Sequence, residues 1–193
     1  MKTLNKVLIS KFASILAFKG GASARGIHMI DDSCLVLSDQ TVGQEIGEFV
    51  TNENQLTSSS VHELMRLHSI KTCKDTDGNV SGLQFSLATN IYNYSGTEIL
   101  HMEPIGHMTG QCDTLVLRAD FDTIHATLTP SGLDIIYRYH DGPSGIAKSY
   151  GAIDEDKATV WIFDHANPVI GLYGRHTEAG IAQLGFITLD TAC

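Results

Sequence analysis

Residues 168–189 read PVIGLYGRHTEAGIAQLGFITL, and the second half of this stretch sets the period of almost the whole chain. Ile181, Gln183, Gly185 and Ile187 alternate with Leu184, Phe186 and Thr188. Successive side chains of a strand point to opposite faces, so apolar groups in both sets predict a closing strand buried on both sides. Working back along the chain, Leu133, Ile135, Tyr137 and Tyr139 alternate with Asp134, Arg138 and His140. Ile124, Ala126 and Leu128 alternate with His125, Thr127 and Thr129, and Leu83, Phe85 and Leu87 with Gln84 and Ser86. Leu115 and Leu117 begin a further strand, and Cys34-Leu35-Val36-Leu37 is a short apolar one. Between these runs stand turn formers: Asp77-Gly78, Ser95-Gly96, Pro130-Ser131-Gly132 and Asp141-Gly142-Pro143. Many short strands at near-regular spacing predict an all-β sandwich, barrel or prism.

One segment departs from the period of two. Ser60 and Glu63 have capping-box spacing ahead of Leu64 and Leu67, which fits a one- or two-turn helix. Residues 64–73 equally fit the start of a strand, and both readings stand.

Bulk properties bound the function. The 193 residues suit one domain with a sizeable core, alone or with an N-terminal appendage. Hydrophobic content of 42% with 18% charged residues is that of an ordinary globular protein. The formal charge is −9, with no basic cluster beyond the N-terminus. A nucleic-acid binder needs a concentrated positive face, so that class is not expected. No apolar run reaches the length of a bilayer span.

Residues 1–24 differ from the rest. They carry Lys2, Lys6, Lys11 and Lys19 and no acid, and they end in Ala22-Ser23-Ala24 after the apolar stretch VLISKFASILAF. This pattern reads as a secretory signal; the alternative is a basic amphipathic segment, either a mitochondrial presequence or a retained arm. Removing four positive charges takes the net charge from −9 to −13. Four widely spaced cysteines (Cys34, Cys73, Cys112, Cys193) lack the close pairs of a zinc site. Two N-x-S sequons, at Asn79 and Asn93, fit an oxidising, glycosylating compartment. Secretion is the expectation, with free buried thiols in a reducing compartment as the rival.

Motifs of catalysis or metal binding are incomplete. Asp75-Thr76-Asp77-Gly78-Asn79 begins like a calcium loop, but Val80 and Ser86 stand where that motif needs glycine and glutamate. A hairpin turn at Asp77-Gly78 explains the same residues. His62 and His68 are six apart rather than the four of the zincin helix. His101, Glu103 and His107 lie in a Gly/Pro-containing loop, and Gly142-Pro143-Ser144-Gly145 lacks the second glycine of a nucleophile elbow. No cofactor, metal site or enzymatic activity is expected.

The order of the segments resembles the jacalin-like lectin (β-prism) family. Residues 168–189 are similar to that family's closing hairpin, with a glycine turn from Gly171 to Gly174, a short loop, and a return through Leu184-Gly185-Phe186. SIKTCKDTDGNVSGLQFSL (69–87) resembles its earlier hairpin, CDTLVLRADFDTIHATLTPSGLDIIYRYHDG (112–142) its next strands, and KSYGAIDEDKATVWIF (148–163) the strand pair before the end. The resemblance implies a β-prism of three Greek-key sheets over residues 34–193, with first and last strands adjacent. That adjacency implies a Cys34–Cys193 bridge, and neighbouring strands imply Cys73–Cys112.

In the family's sugar-binding members, a loop ending G-x-x-x-D precedes the last strand. Here Ala182 occupies the aspartate's place, and Glu178 is the nearest acid. The resemblance assigns ligand contact to Gly174, Arg175, His176, Thr177 and Glu178, with Gly43 and Gly47 supplying the N-terminal glycine loop. It implies a secreted, non-enzymatic carbohydrate-binding module. The alternative is a structural or interaction subunit of an extracellular or surface assembly, one that could oligomerise, that keeps the prism and has lost the sugar site.

Overall fold

The computed structural model describes residues 28–29, 34–58, 60–61, 66–89, 98–117, 121–139, 145–164 and 166–190. The basic segment 1–24, Glu63 of the capping box, the sequon Asn93, the turns at 95–96 and 141–143, and Cys193 lie outside the described residues. The strands in chain order are β1 (His28–Met29), β2 (Leu35–Leu37), β3 (Val42–Gly43), β4 (Glu48–Thr51), β5 (Ser60–Val61), β6 (Arg66–Lys74), β7 (Val80–Thr89) and β8 (Glu98–His101). They continue with β9 (Ile105–Gly106), β10 (Gln111–Val116), β11 (Phe121–Thr129), β12 (Gly132–Tyr139), β13 (Ile146–Tyr150), β14 (Thr159–Ile162), β15 (Val169–Thr177) and β16 (Gly180–Leu189). One short helix, α1 (Glu53–Ser58), follows β4.

Besides the short pair of β1 with β5, the strands form three antiparallel groups, the three sheets of the prism. The first runs β2-β16-β15-β4, with β3 also on β16, so the chain's early strands flank its last two. In the second, β6 and β7 form a hairpin, β8 and β9 pair with β7, and β10 returns beside β6. In the third, β11 and β12 form a hairpin, β13 pairs with β12, and β14 returns beside β11. A fourth strand returning beside the first is the Greek key. A single pairing of Leu133 with Val80 joins the second and third sheets along one edge. The all-β prism expected from the order of segments is therefore the fold observed.

Phe186 on β16 marks its centre. Its ring lies 4.7 Å from Trp161 on β14 of the third sheet, 5.7 Å from Phe163 just after that strand, and 6.1 Å from Phe85 on the second. One aromatic cluster thus draws a side chain from every sheet. Such edge-on and offset contacts add about 0.5–1.5 kcal/mol beyond area burial. Leu83, Ile105, Ile124, Ile135, Leu172 and Leu184, all fully buried, complete the core. The alternation in the sequence therefore placed Leu83, Phe85, Leu87, Ile124, Ala126, Leu133, Ile135 and Tyr137 in the core, but Ser86 and Thr127 of the polar sets are buried too.

Two local expectations need correction, and the open choice between helix and strand is decided as a strand for residues 66–74. Gly171 and Gly174 are not a turn; they lie inside β15, which runs unbroken to Thr177. Each is glycine because a neighbour needs the space of a side chain: Leu56 and Asn52 crowd Gly171, and the Gln183 carbonyl crowds Gly174. The strand expected to open at Leu115 starts earlier, at Gln111, since pairing with β6 rather than apolar alternation holds it. The helix lies at 53–58, upstream of Ser60, and residues 66–74 form a strand. Its first turn is anchored by Thr51, whose hydroxyl accepts from the Glu53 backbone N–H at 3.3 Å.

Candidate functional site

Both hairpin strands β15 and β16 reach the same end of the first sheet, where Glu178 and Ala179 form the exposed tip. Thr177 stiffens that tip, because its hydroxyl accepts from the Ala179 N–H at 3.2 Å. Arg175, His176 and Thr177 were assigned to a loop by resemblance. They stand instead on β15, paired with Gln183, Ile181 and Gly180 of β16. Their side chains are therefore held by strand backbone and only Glu178 projects from a free turn, a stiffer arrangement than a loop offers.

The glycine loop of the N-terminal part packs directly against this hairpin. Gly43 pairs with Gln183, and Arg175 and His176 pair with Phe49 and Glu48 of β4. Both loop glycines have left-handed φ, +103° at Gly43 and +90° at Gly47. A Cβ at Gly43 would run into the Ala182 carbonyl, and one at Gly47 into the His176 carbonyl. Only glycine permits both the backbone angle and the approach. The Gln44 N–H donates to the Ala182 carbonyl at 2.8 Å, closing the loop onto the hairpin.

Side chains then converge. Arg175 Nη1 donates to the Gly47 carbonyl at 3.1 Å, and its guanidinium lies 5.3 Å from the Phe49 ring centre. His176 Nε2 stands 3.8 Å from a Glu48 carboxylate oxygen. The His107 ring contacts His176 edge-on at 5.7 Å and donates through Nε2 to the Thr177 carbonyl at 2.9 Å. Phe49 and Ile46 are exposed beside them. The structure thus brings together Gly43, Gly47, Gly174, Arg175, His176, Thr177 and Glu178. It adds Glu48, Phe49 and His107, which sequence reasoning missed because they join the hairpin only through sheet pairing and a loop from another sheet.

Ala182 sits on β16 with only 7% of its surface exposed, so the aspartate's place holds a buried methyl group. The set can donate and accept hydrogen bonds and present one aromatic face, with a carboxylate from Glu48 on β4 but none from β16. No group of three His, Cys, Asp or Glu side chains converges on a metal position among the described residues. His101 instead bonds Ser86 through Nδ1 at 2.8 Å, so this histidine cross-links strands. The calcium-like stretch is a turn: one Asp75 oxygen accepts from the N–H groups of Asp77 and Asn79, both at 2.9 Å. Half-buried Asn79 donates its amide to Asp75 at 3.3 Å, while Ser81 of the same sequon is buried in β7.

Cys73 and Cys112 are bridged across paired positions of β6 and β10, with Cα atoms 4.0 Å apart. Cys34 is also disulfide-bonded; Cys193, its expected partner, lies outside the described residues. No helix among the described residues is long and apolar enough to cross a membrane.

Solved structures share this architecture. A mannose binding jacalin related lectin from Ananas comosus superposes with a TM-score of 0.52 at 14% identity, covering 82% of this chain and 99% of its own. Frutapin, a lectin from Artocarpus incisa, gives 0.53 at 12% identity, with 83% and 99% coverage. Malaysian banana lectin gives 0.51 at 14%, with 81% and 97% coverage. No family model and no curated protein matches the chain by sequence. The chain therefore has the β-prism fold of the jacalin-related lectins.

Proposed function

We propose that this β-prism is a secreted, non-enzymatic carbohydrate-binding module whose ligand meets the end of the first sheet. The observation that carries the reading is the seating of the Gly43–Gly47 loop against the β15–β16 hairpin. That contact gathers Arg175, His176, Thr177 and Glu178 into one polar rim beside the exposed Phe49 ring. Sugars present hydroxyls around an apolar ring face, so a few fixed donors and acceptors beside an aromatic surface suit them. Secretion is supported by the cysteines, since disulfides persist chiefly in oxidising compartments. Glycosylation at Asn79 or Asn93 belongs to the same proposal.

The buried Ala182 methyl favours a second reading, a structural or interaction subunit of an extracellular or surface assembly with a degenerate sugar site. A glycan array with the disulfide-bonded protein separates the two. Binding that Thr177→Ala or Glu178→Ala abolishes supports the lectin. Silence across the array, with co-purification of a defined protein partner, supports the scaffold.

A further inference from the structure

A second concave site lies on the seam between the second and third sheets, away from the glycine loop. It is a cleft of about 380 Å³, within the ~300–1,000 Å³ range of small-molecule sites, lined by Lys74, Gln111, Asp113, Lys148, Ser149 and Tyr150. Register puts these side chains there. On β6 and β10, Lys74 faces Gln111 and Thr72 faces Asp113, while on β13 Lys148 and Tyr150 are two apart and share a face.

The cleft has a rigid floor. Tyr150 is 3% exposed and meets Tyr137 edge-on at 6.1 Å. Beneath them the Tyr137 and Thr72 hydroxyls lie 3.3 Å apart. The Cys73–Cys112 bridge ties the two strands that carry Lys74, Gln111 and Asp113. Burial and the nearby Asp113 charge push the Tyr150 phenol up to about 12, so its hydroxyl stays a donor, to Asp113 at 3.2 Å.

The charges do not cancel. Lys148 meets Asp113 at 2.6 Å, whereas Lys74 has no acidic partner among the described residues and stands 5.3 Å over the Tyr150 ring. Two lysines against one aspartate leave one positive charge in excess, in a chain with 22 acids and only 13 lysines and arginines. An uncompensated ammonium held at a cleft on an acidic protein attracts an anion locally. Its neighbours are a carboxylate, an amide and a hydroxyl, groups that bind vicinal hydroxyls rather than a bare anion.

We infer that the cleft between β10 and β13 binds an acidic saccharide, a sugar carrying one carboxylate or sulfate, with Lys74 at the charge and Asp113 and Gln111 on the hydroxyls. This rests on the carbohydrate-binding reading and moves its principal site away from the hairpin that lacks the aspartate.

The test titrates the disulfide-bonded protein with galacturonic acid, a monosialylated trisaccharide and a monosulfated disaccharide. Each is paired with its neutral counterpart, with inorganic sulfate as the bare anion. Lys74→Met, which breaks no ion pair, should weaken the acidic ligand at least tenfold, and Lys148→Met should do likewise. The charge-matched control Lys157→Met, on an exposed lysine paired with Asp154, should leave it unchanged. Equal affinity in wild type and Lys74→Met overturns the inference, as does equal loss in the control or binding of inorganic sulfate as tight as that of the sugar. Neutral glycans bound through Thr177 and Glu178 alone would sink this cleft and leave the lectin reading standing. Silence toward every glycan would sink both.

Discussion

The side-chain carbonyl of Asn52 accepts the Leu172 backbone N–H at 2.8 Å, and its amide donates to the Glu103 carbonyl at 2.9 Å. Asn52 is fully buried at the junction of β4 and α1. One residue thereby satisfies β15 of the first sheet and the segment that follows β8 of the second. Replacing it by alanine strands the buried Leu172 N–H, at about 1–3 kcal/mol, and the part-buried Glu103 carbonyl at a smaller cost. Asn52→Ala should lower stability by about 2–4 kcal/mol, read from the urea midpoint at constant slope. A loss below 0.5 kcal/mol, roughly the scatter of neutral surface changes, would show that water replaces both bonds.

The glycine loop gives a graded test. Gly78 has φ +89° with open space around it, whereas Gly43 has φ +103° and the Ala182 carbonyl in the way of a Cβ. Gly78→Ala should cost only the left-handed backbone term, about 1–2 kcal/mol. Gly43→Ala should cost clearly more, and should disturb the backbone amide signals of Gln44 and Ala182. Equal thermal midpoints for the two variants would mean that the loop does not press on the hairpin.

The Cys73–Cys112 bridge closes a sequence separation of 39 residues. In the chain-entropy model a loop of that size is worth roughly 4 kcal/mol, by restricting the unfolded chain. The double variant Cys73→Ser/Cys112→Ser should lose about 3–4 kcal/mol in denaturant and retain its β-rich circular dichroism. If instead the double variant melted with the wild type, the bridge would be ornamental to stability.

Acid should weaken the fold through identifiable groups. The Lys148 hydrogen bond, seconded by the Tyr150 hydroxyl, holds the Asp113 carboxyl below the usual carboxylate range. Arg138 does the same for Glu155, with His125 contributing. With the folded pKa below the unfolded one, their stabilisation is present above the unfolded value and disappears as pH falls through the folded value. Asp134, raised by burial, acts oppositely: its contribution is full at low pH and lost as pH rises. Asp75 and Asp154 are lowered as well, so four depressed carboxyls against one raised predict a net fall in thermal midpoint between about pH 4 and pH 2. Because the Lys148–Asp113 pair is half-exposed, its share is at most about 1 kcal/mol after solvent screening. Lys148→Met should therefore flatten the slope modestly, and an unchanged slope would remove Asp113 from the explanation.

The sequence by itself determined that this is an all-β protein and which residues face its core. Period-two patterning is local, and packing enforces it: a one-residue slip in β16 would turn Phe186 away from Trp161, Phe163 and Phe85. The order of segments further carried the prism topology, the paired Cys73 and Cys112, and the grouping of Gly43 and Gly47 with residues 174–178. What it misjudged is equally physical. Gly171 and Gly174 read as a turn because glycine breaks strands locally, yet here glycine admits Leu56 and a neighbouring carbonyl into β15. Helix α1 escaped notice because six residues make too short a pattern, and buried Leu56 rather than helix propensity holds it.

Only the tertiary structure decided the chemistry of the surface. Glu48, Phe49 and His107 reach the hairpin through sheet pairing across more than 50 positions of chain, and Lys74, Asp113 and Lys148 meet across a seam between sheets. No spacing in one strand encodes such meetings. They follow from the register and closure of the prism, which place the ends of distant strands side by side.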